Sequence, residues 1–158
     1  MRGVKLDRID RRILRDLQDS GRMTNVELAR RAEISAPPCL RRVRALEDGG
    51  VIKGYHAELN AAALGFNVTV FAHVGLHSQA EHDLKGFEEL VNSWPQVREC
   101  HMLTGGADFI IKIVAHDFDD YQHFLTTKLT PAPNVKEVKT SLVIRTAKHL
   151  AGVPVNVE

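Results

Sequence analysis

The chain has 158 residues, of which 44% are hydrophobic and 26% are charged, a composition typical of folded proteins rather than disordered chains. No apolar run approaches the roughly 20 residues of a membrane span. The first residues, Met1–Asp7, lack the apolar core of a signal peptide, and two cysteines form no disulfide framework. We therefore expect a cytoplasmic protein.

The charge is unevenly distributed along the chain. Residues 1–53 hold 13 Lys and Arg against 8 Asp and Glu, whereas residues 54–158 hold 8 against 12. A basic first third joined to an acidic remainder favours a polyanion-binding module on a separate body, although solvated surfaces are often lopsided as well.

The first third predicts three helices. An amphipathic stripe defines the first helix, with Asp7 as its N-cap and Ser20-Gly21 as its end. Its members are Leu6, Ile9, Ile13, Leu14 and Leu17. Thr24 to Glu27 has the form of a capping box and opens a second helix. The apolar positions of that second helix are Val26, Leu28, Ala29 and Ala32.

The third helix carries the argument for DNA binding. Its apolar residues Leu40, Val43 and Leu46 recur at spacing three, and Gly49-Gly50 end it. The guanidinium groups of Arg41, Arg42 and Arg44 lie off that stripe, where they can reach phosphates or guanine edges in a major groove. An isolated arginine triplet would favour a solvated face, but a tight turn between the second and third of three short helices favours a helix-turn-helix.

Four segments of this region resemble the DNA-binding domain of the leucine-responsive/asparagine-responsive (Lrp/AsnC) regulators. They are Leu6–Asp10, Gly21–Ala29, Pro38–Glu47 and Gly50–Tyr55. The resemblance implies a helix-turn-helix over about residues 25–44, with residues 35–44 as the recognition element. The candidate DNA-contacting residues are Asn25, Ser35, Ala36, Pro37, Arg41, Arg42 and Arg44.

Two positions depart from the family pattern. Glu33 stands where the family usually has glycine, at a cost on the order of 1 kcal/mol if the backbone there is left-handed. The third helix begins with Ser35-Ala36-Pro37-Pro38 rather than Ser-Pro-Thr-Pro. Because neither proline has an N–H for Ser35 to cap, either the Ser35 hydroxyl is free to face a phosphate or the helix starts one residue later.

The remainder predicts a ferredoxin-like βαββαβ arrangement, so the fold class is α+β with an N-terminal (winged) helix-turn-helix. We expect a DNA-binding domain over residues 1–53, a linker over 54–66 and an effector-binding, oligomerising domain over 67–158. The predicted strands are Val68–Leu76, Val97–Leu103, Phe109–Ala115 and Val135–Arg145. The predicted helices contain the stripes Leu84–Trp94 and Phe118–Leu129.

Both helices of this domain are expected on one face of the sheet. The other face is expected to carry Phe71, His73, Ile111 and Ile113. Taken together with their strands, these side chains are too apolar to be left in water. A homodimer that pairs sheet against sheet would cover them.

The resemblance extends to this domain through Glu99–His101, Thr104-Gly105 and Asp108-Phe109. It implies homodimers, often assembled into larger even-numbered rings, with a free amino acid bound between dimers. The candidate effector-binding residues are Thr104, Gly105, Gly106, Ala107 and Asp108. The family pattern is Gly-Asp-x-Asp, so Gly106 replaces one acid, and the alternative is that Gly105-Gly106 is only a hairpin turn.

The two alternative classes of function are an enzyme and a binding module that has lost DNA binding. Histidines 73, 77 and 82 begin on a strand, where residues four apart are about 13 Å apart, too far to share an ion unless the strand ends between them. Cys100 and His101 point to opposite faces of their strand, so we expect no metal, no cofactor and no enzyme. A module that has lost DNA binding is disfavoured because the arginines of the third helix are intact.

Overall fold

The computed structural model describes residues 5–157 and divides into two units. The helical unit contains residues 5–58 and 148–157, and the sheet unit contains residues 59–147. The C-terminal segment therefore packs with the N-terminal helices, whereas the sequence assigned it to the second domain. Residues 1–4, on which the expectation about a signal peptide partly rests, lie outside the described residues.

The helical unit forms three helices, α1 (Arg8–Asp19), α2 (Asn25–Arg31) and α3 (Ala36–Asp48). The predicted caps are confirmed. The Asp7 side chain accepts from the N–H of Asp10 in a reciprocal capping box, and Thr24 accepts from the N–H of Glu27. The end of α3 at Gly49 is also as predicted.

The core of this unit confirms most of the predicted apolar stripes, with two corrections. Its fully buried side chains are Ile13, Leu28, Ala29, Ala32, Cys39 and Leu46. Val26 is 71% exposed and Leu40 is 39% exposed, so neither is a core residue. On α3 the spacing of apolar residues fits two registers, and the structure buries Cys39 in place of Leu40.

The sheet unit has the order of elements that the sequence predicts. Its elements are β1 (Val68–Leu76), α4 (Glu81–Asn92), β2 (Val97–Met102), β3 (Phe109–Ala115), α5 (Phe118–Phe124) and β4 (Val135–Leu142). A short 3-10 turn, Ala62–Leu64, precedes β1, and a π-helical turn, Leu125–Leu129, continues α5. The strands form one antiparallel sheet in the order β2-β3-β1-β4, as the ferredoxin-like arrangement requires. β4 ends before the predicted Arg145.

The two faces of the sheet correct one prediction. Val70, Ala72 and Val74 of β1 are buried, and Phe71 and His73 lie on the opposite face, as expected. Ala72 pairs with Ile111 and His73 with Ile110, so Ile111 shares the covered face with Ala72. Ile111 and Ile113 are fully buried, and the predicted uncovered face carries Ile110, Lys112 and Val114 instead. β-branched residues occupy both faces of β3, as the pairs Ile110-Ile111 and Ile113-Val114, so the sequence pattern does not show which face is buried and strand pairing decides it.

Candidate DNA interface and effector site

The turn between α2 and α3 adopts the backbone that the family pattern implies. Glu33 has φ of +59°, in the left-handed region, although it is not glycine. Its carboxylate lies 3.0 Å from the guanidinium of Arg12 on α1. The turn is therefore strained at Glu33 but tied to the first helix by an ion pair.

The start of α3 resolves the alternatives left by its two prolines. Ser35 is the N-cap and makes no side-chain capping hydrogen bond. The helix begins at Ala36, so a start one residue later is wrong. Ser35 and Pro37 are exposed, whereas Ala36 is half-buried. The Ser35 hydroxyl is left available for a contact outside the chain.

Asn25, a predicted DNA contact, lies inside the motif. Its Nδ2 donates to the carbonyl oxygen of Ala36 at 2.9 Å, which joins the first turn of α2 to the first turn of α3. Asn25 is half-buried, and this hydrogen bond ties α2 to α3.

The three predicted arginines of α3 divide into two groups. Arg41 and Arg44 are exposed and lie three residues apart, so they are neighbours on one face of the helix. Neither has an ion-pair partner within the part of the chain that the structure describes. Arg42 instead donates to Asp7 and Asp10 of the first helix, at 2.7 Å each. These carboxylates raise the pKa of the Arg42 guanidinium.

The first turn of α2 carries a second ion-pair cluster. Glu27 accepts hydrogen bonds from Arg30 at 2.7 Å and from Arg31 at 2.9 Å, and these contacts lower the pKa of Glu27 to about 2. One carboxylate thus partly neutralises both arginines within α2, whereas Arg41 and Arg44 of α3 have no such partner among the described residues.

The predicted effector turn connects β2 to β3 at one edge of the sheet. Gly105 has φ of +127°, a conformation that only glycine adopts readily. A Cβ placed at Gly105 or Gly106 meets nothing within 4 Å, so the main chain of the turn is open. Thr104 is exposed and Ala107 is half-buried. The open main chain gives a ligand or a second copy of the chain room to approach.

Asp108 anchors this turn to the end of β1. Its Oδ2 accepts from the N–H of Leu76 at 2.6 Å and lies 3.4 Å from Nε2 of Gln79. Its N–H donates to Val74, and its carbonyl accepts from Leu103. One carboxylate oxygen thus holds the turn in place, while Oδ1 makes no hydrogen bond within residues 5–157.

Asn134 forms a side-chain clasp beside the turn that the sequence does not predict. Asn134, with φ of +65°, donates from Nδ2 to Ser78 O at 2.8 Å and accepts at Oδ1 from Ser78 N at 3.0 Å. It fixes the loop after β1 to the start of β4. An asparagine directly after a proline at a strand entrance is a recognisable turn signal, but its partner, 56 residues away, is not.

Residues 5–157 show neither a metal site nor a membrane-spanning helix. Among them, no group of three or more His, Cys, Asp or Glu side chains is placed to hold a metal ion. None of their helices is both long enough and apolar enough to cross a membrane. Burial raises the pKa of the Cys39 thiol, and burial together with Glu88 raises the pKa of Cys100 to about 11.

The helical unit, with α3 presenting two exposed arginines, has the architecture of a helix-turn-helix DNA-binding domain, and the sheet unit makes the chain a two-domain regulator. Residues 6–53 match a family model described as winged helix-turn-helix DNA-binding. Residues 69–153 match the Lrp/AsnC ligand binding domain. The chain belongs to the Lrp/AsnC family of transcription regulators.

Individual relatives and solved structures match 96% of the chain. A leucine-responsive regulatory protein of Rhizobium meliloti is 51% identical over 152 residues, which cover 96% of this chain and 97% of the relative. A transcriptional regulator of Neisseria meningitidis, solved as an L-Met complex, has a TM-score of 0.92 at 34% identity and covers 96% of this chain and 98% of its own. AsnC of Escherichia coli has a TM-score of 0.86 at 26% identity, covering 96% and 100%. The predicted family and fold class are confirmed.

Proposed function

We propose that the chain is a sequence-specific transcription regulator whose α3 enters the DNA major groove and whose sheet unit binds an amino-acid effector at residues 104–108. The observation that carries the DNA half is the exposed pair Arg41 and Arg44, on the face of α3 directed away from the core of the helical unit. Guanidinium groups on such a face can neutralise phosphates and contact guanine edges.

The remaining predicted DNA residues take different parts in this proposal. Ser35 and Pro37 lie on the exposed start of α3, with Ser35 free to donate to a phosphate. Asn25, Ala36 and Arg42 position the helix, because their hydrogen bonds link α3 to α2 and α1. The proposed direct contacts are therefore Ser35, Pro37, Arg41 and Arg44.

The effector half rests on the open glycine turn and on Asp108. Main-chain N–H groups of an exposed turn can hold the carboxylate of an amino acid. The unused Oδ1 of Asp108 can accept from its ammonium group. The L-Met bound by the Neisseria regulator supports an amino acid as the class of ligand.

The uncovered face of the sheet supports a homodimer. Phe71, Ile110 and Val114 lie on that face and are only half-buried in one chain. A second copy packed against this face would bury them and would present two α3 helices to successive major grooves. Pairing of such dimers would place effector turns from different dimers together. Family membership supports a non-enzymatic regulator that acts in the cytoplasm, on the nucleoid.

Fluorescence anisotropy tests both halves. The full-length protein is titrated onto labelled DNA from upstream of its own coding region, and onto a scrambled duplex, at two salt concentrations. Tighter, salt-sensitive binding to the upstream DNA is expected, with a shift when a pool of the twenty amino acids is added. Equal affinity for both duplexes would contradict a regulatory site in this DNA, and indifference to every amino acid would contradict effector control.

A further inference from the structure

The C-terminal segment is held to α1 by one glutamine side chain. Nε2 of Gln18 donates to the carbonyl oxygen of Val153 at 2.8 Å, and the N–H of Val153 donates to Oε1 of Gln18 at 3.1 Å. The two residues are 135 positions apart in sequence. A side-chain amide that pairs with both main-chain groups of one residue recognises an extended peptide in the way that a neighbouring strand does.

The residue before Val153 fits this contact in two independent ways. Gly152 has φ of +71°, which disfavours any residue with a Cβ. A Cβ at this position would also overlap the amide of Gln18. Gly152 therefore permits both the turn of the segment and its close approach to α1.

The segment lies along a groove of the helical unit. The groove encloses about 440 Å³ between α1, residues 51–56 and residues 151–155. Tyr55 lines it and is held by a hydrogen bond of 2.9 Å to Glu47 of α3. The groove is thus in contact with the helix that carries the proposed DNA contacts.

The docking is shallow. Val153 is 66% exposed, whereas Val155 and Val157 are half-buried. A contact with few buried apolar groups opens at low free-energy cost, so this segment can detach while the rest of the unit stays folded. Its attachment to the same chain nevertheless keeps its effective concentration at the groove high.

We propose that the surface formed by α1 and residues 51–56 is a docking site for residues 151–155 of the same chain, which form one wall of the groove, and that docking couples the DNA-binding unit to the effector-binding unit. The chain passes between the units after Glu58 and again after Ala147, so the docked segment adds a second connection to the linker. The segment follows β4, whose first residues adjoin the Asn134 clasp beside the effector turn. β4 ends at Leu142, nine residues before Ala151, so in this proposal β4 and residues 143–150 carry a rearrangement of that edge to the docked segment. This coupling rests on the function proposed above.

The docking is tested in the full-length protein by hydrogen exchange of the peptide containing Val153. Gln18→Ala removes both hydrogen bonds from an exposed helical position, and Gly152→Ala blocks the approach. Asp19→Ala, an exposed neighbour on α1, is the matched control. We expect exchange at Val153 to be at least tenfold faster in the two docking variants than in the wild type. In the control we expect the wild-type rate. Exchange at Val153 in the wild type at the rate of an unprotected amide would overturn the docking.

The coupling is tested on the same variants by DNA anisotropy with and without the amino-acid pool. We expect DNA affinity without amino acids to stay within twofold of wild type, while the shift caused by the pool falls by at least half. A full shift in Gln18→Ala, with exchange at Val153 accelerated, would overturn the coupling. If the wild-type protein binds no DNA specifically, or its DNA binding does not respond to the amino-acid pool, the proposed function is contradicted. The docking is tested separately, by the rate of hydrogen exchange at Val153.

The source of the docked segment is tested by disulfide cross-linking. The double variant Gln18→Cys, Val153→Cys is oxidised and run on a denaturing, non-reducing gel beside the wild type. We expect a cross-linked species of monomer mass. A cross-linked dimer absent from the wild type would show that the segment of a second copy fills the groove, which would overturn docking within one chain.

Discussion

Nη1 of Arg42 on α3 donates to Oδ1 of Asp10 on α1 across 2.7 Å. The same nitrogen donates to Asp7 at 2.7 Å, and Asp7 and Asp10 also form the capping box of α1. The N–H of Asp10 and the Arg42 guanidinium lower the pKa of Asp7. One guanidinium thus joins the start of α1 to the middle of α3.

This contact predicts that Arg42→Ala acts on stability. Removal of the guanidinium leaves Asp10, whose side chain is 14% exposed, without its cationic partner. We expect the free energy of unfolding to fall by about 1–2 kcal/mol, since a charged, partly buried hydrogen bond is lost. Urea denaturation measures the change, with Arg22→Ala, an exposed arginine of the same unit, as the control. Equal stability of the two variants would contradict the assignment.

Arg41→Ala and Arg44→Ala should show the opposite behaviour. Both side chains are exposed, so the stability should stay within about 0.5 kcal/mol of wild type. Affinity for the upstream DNA should fall roughly tenfold for each variant, and the slope of log affinity against log salt should decrease by about 1 if the lost contact is to a phosphate. Anisotropy at several salt concentrations measures both quantities. Unchanged affinity in both variants would rule out α3 as the recognition helix.

The left-handed backbone of Glu33 predicts a difference between two substitutions. Glu33→Gly and Glu33→Ala both remove the ion pair with Arg12, but only glycine relieves the strain at φ of +59°. The glycine variant should be more stable than the alanine variant by about 1 kcal/mol. Thermal and urea unfolding of the two variants measure this difference. Because both variants lack the ion pair with Arg12, its loss does not contribute to the difference. Equal stabilities would mean that the turn relaxes.

The Glu27 cluster predicts a pH dependence. Hydrogen bonds from Arg30 and Arg31 lower the pKa of Glu27 from 4.5 to about 2. A depressed pKa gives stability that is fully present above pH 4.5 and is lost as the pH falls towards 2. Thermal unfolding from pH 2 to 6 should show the wild type losing stability relative to Glu27→Gln over that window. Parallel curves for the two proteins would show that Glu27 has the same pKa in the folded and unfolded states.

The effector turn predicts different roles for its two glycines. Gly105→Ala should lower the free energy of unfolding by about 1–3 kcal/mol, because φ of +127° is strained for alanine. Gly106→Ala meets no neighbour and should change stability by less than about 0.5 kcal/mol. If a ligand approaches this main chain, Gly106→Ala should still weaken the amino-acid effect on DNA binding. Calorimetry measures the change in stability, and anisotropy measures the amino-acid effect on DNA binding. An unaltered amino-acid effect in Gly106→Ala would show that the ligand does not bind against Gly106.

Local sequence determined most of the elements. Asp7, Thr24 and Gly49 mark helix ends through short-range capping, and the alternation of β1 from Val68 to Leu76 fixed its buried face. These features depend on residues within one or two turns of each other, so periodicity and cap chemistry are sufficient to predict them. The family motifs are also short stretches of sequence, and they predict the candidate site on α3 and on the β2–β3 turn.

Tertiary structure alone decided which side chains the site can use. Arg42 faces Asp10, Asn134 holds Ser78 and Gln18 holds Val153, and in each pair the partners lie 32 to 135 residues apart. The face of Ile111 likewise followed from its pairing with β1. Where apolar residues occupy both faces of a strand, the sequence pattern does not show which face is buried. Likewise, nothing in the sequence near a charged or amide side chain indicates its distant partner. Only the packing of the folded chain selects among the partners that the sequence offers.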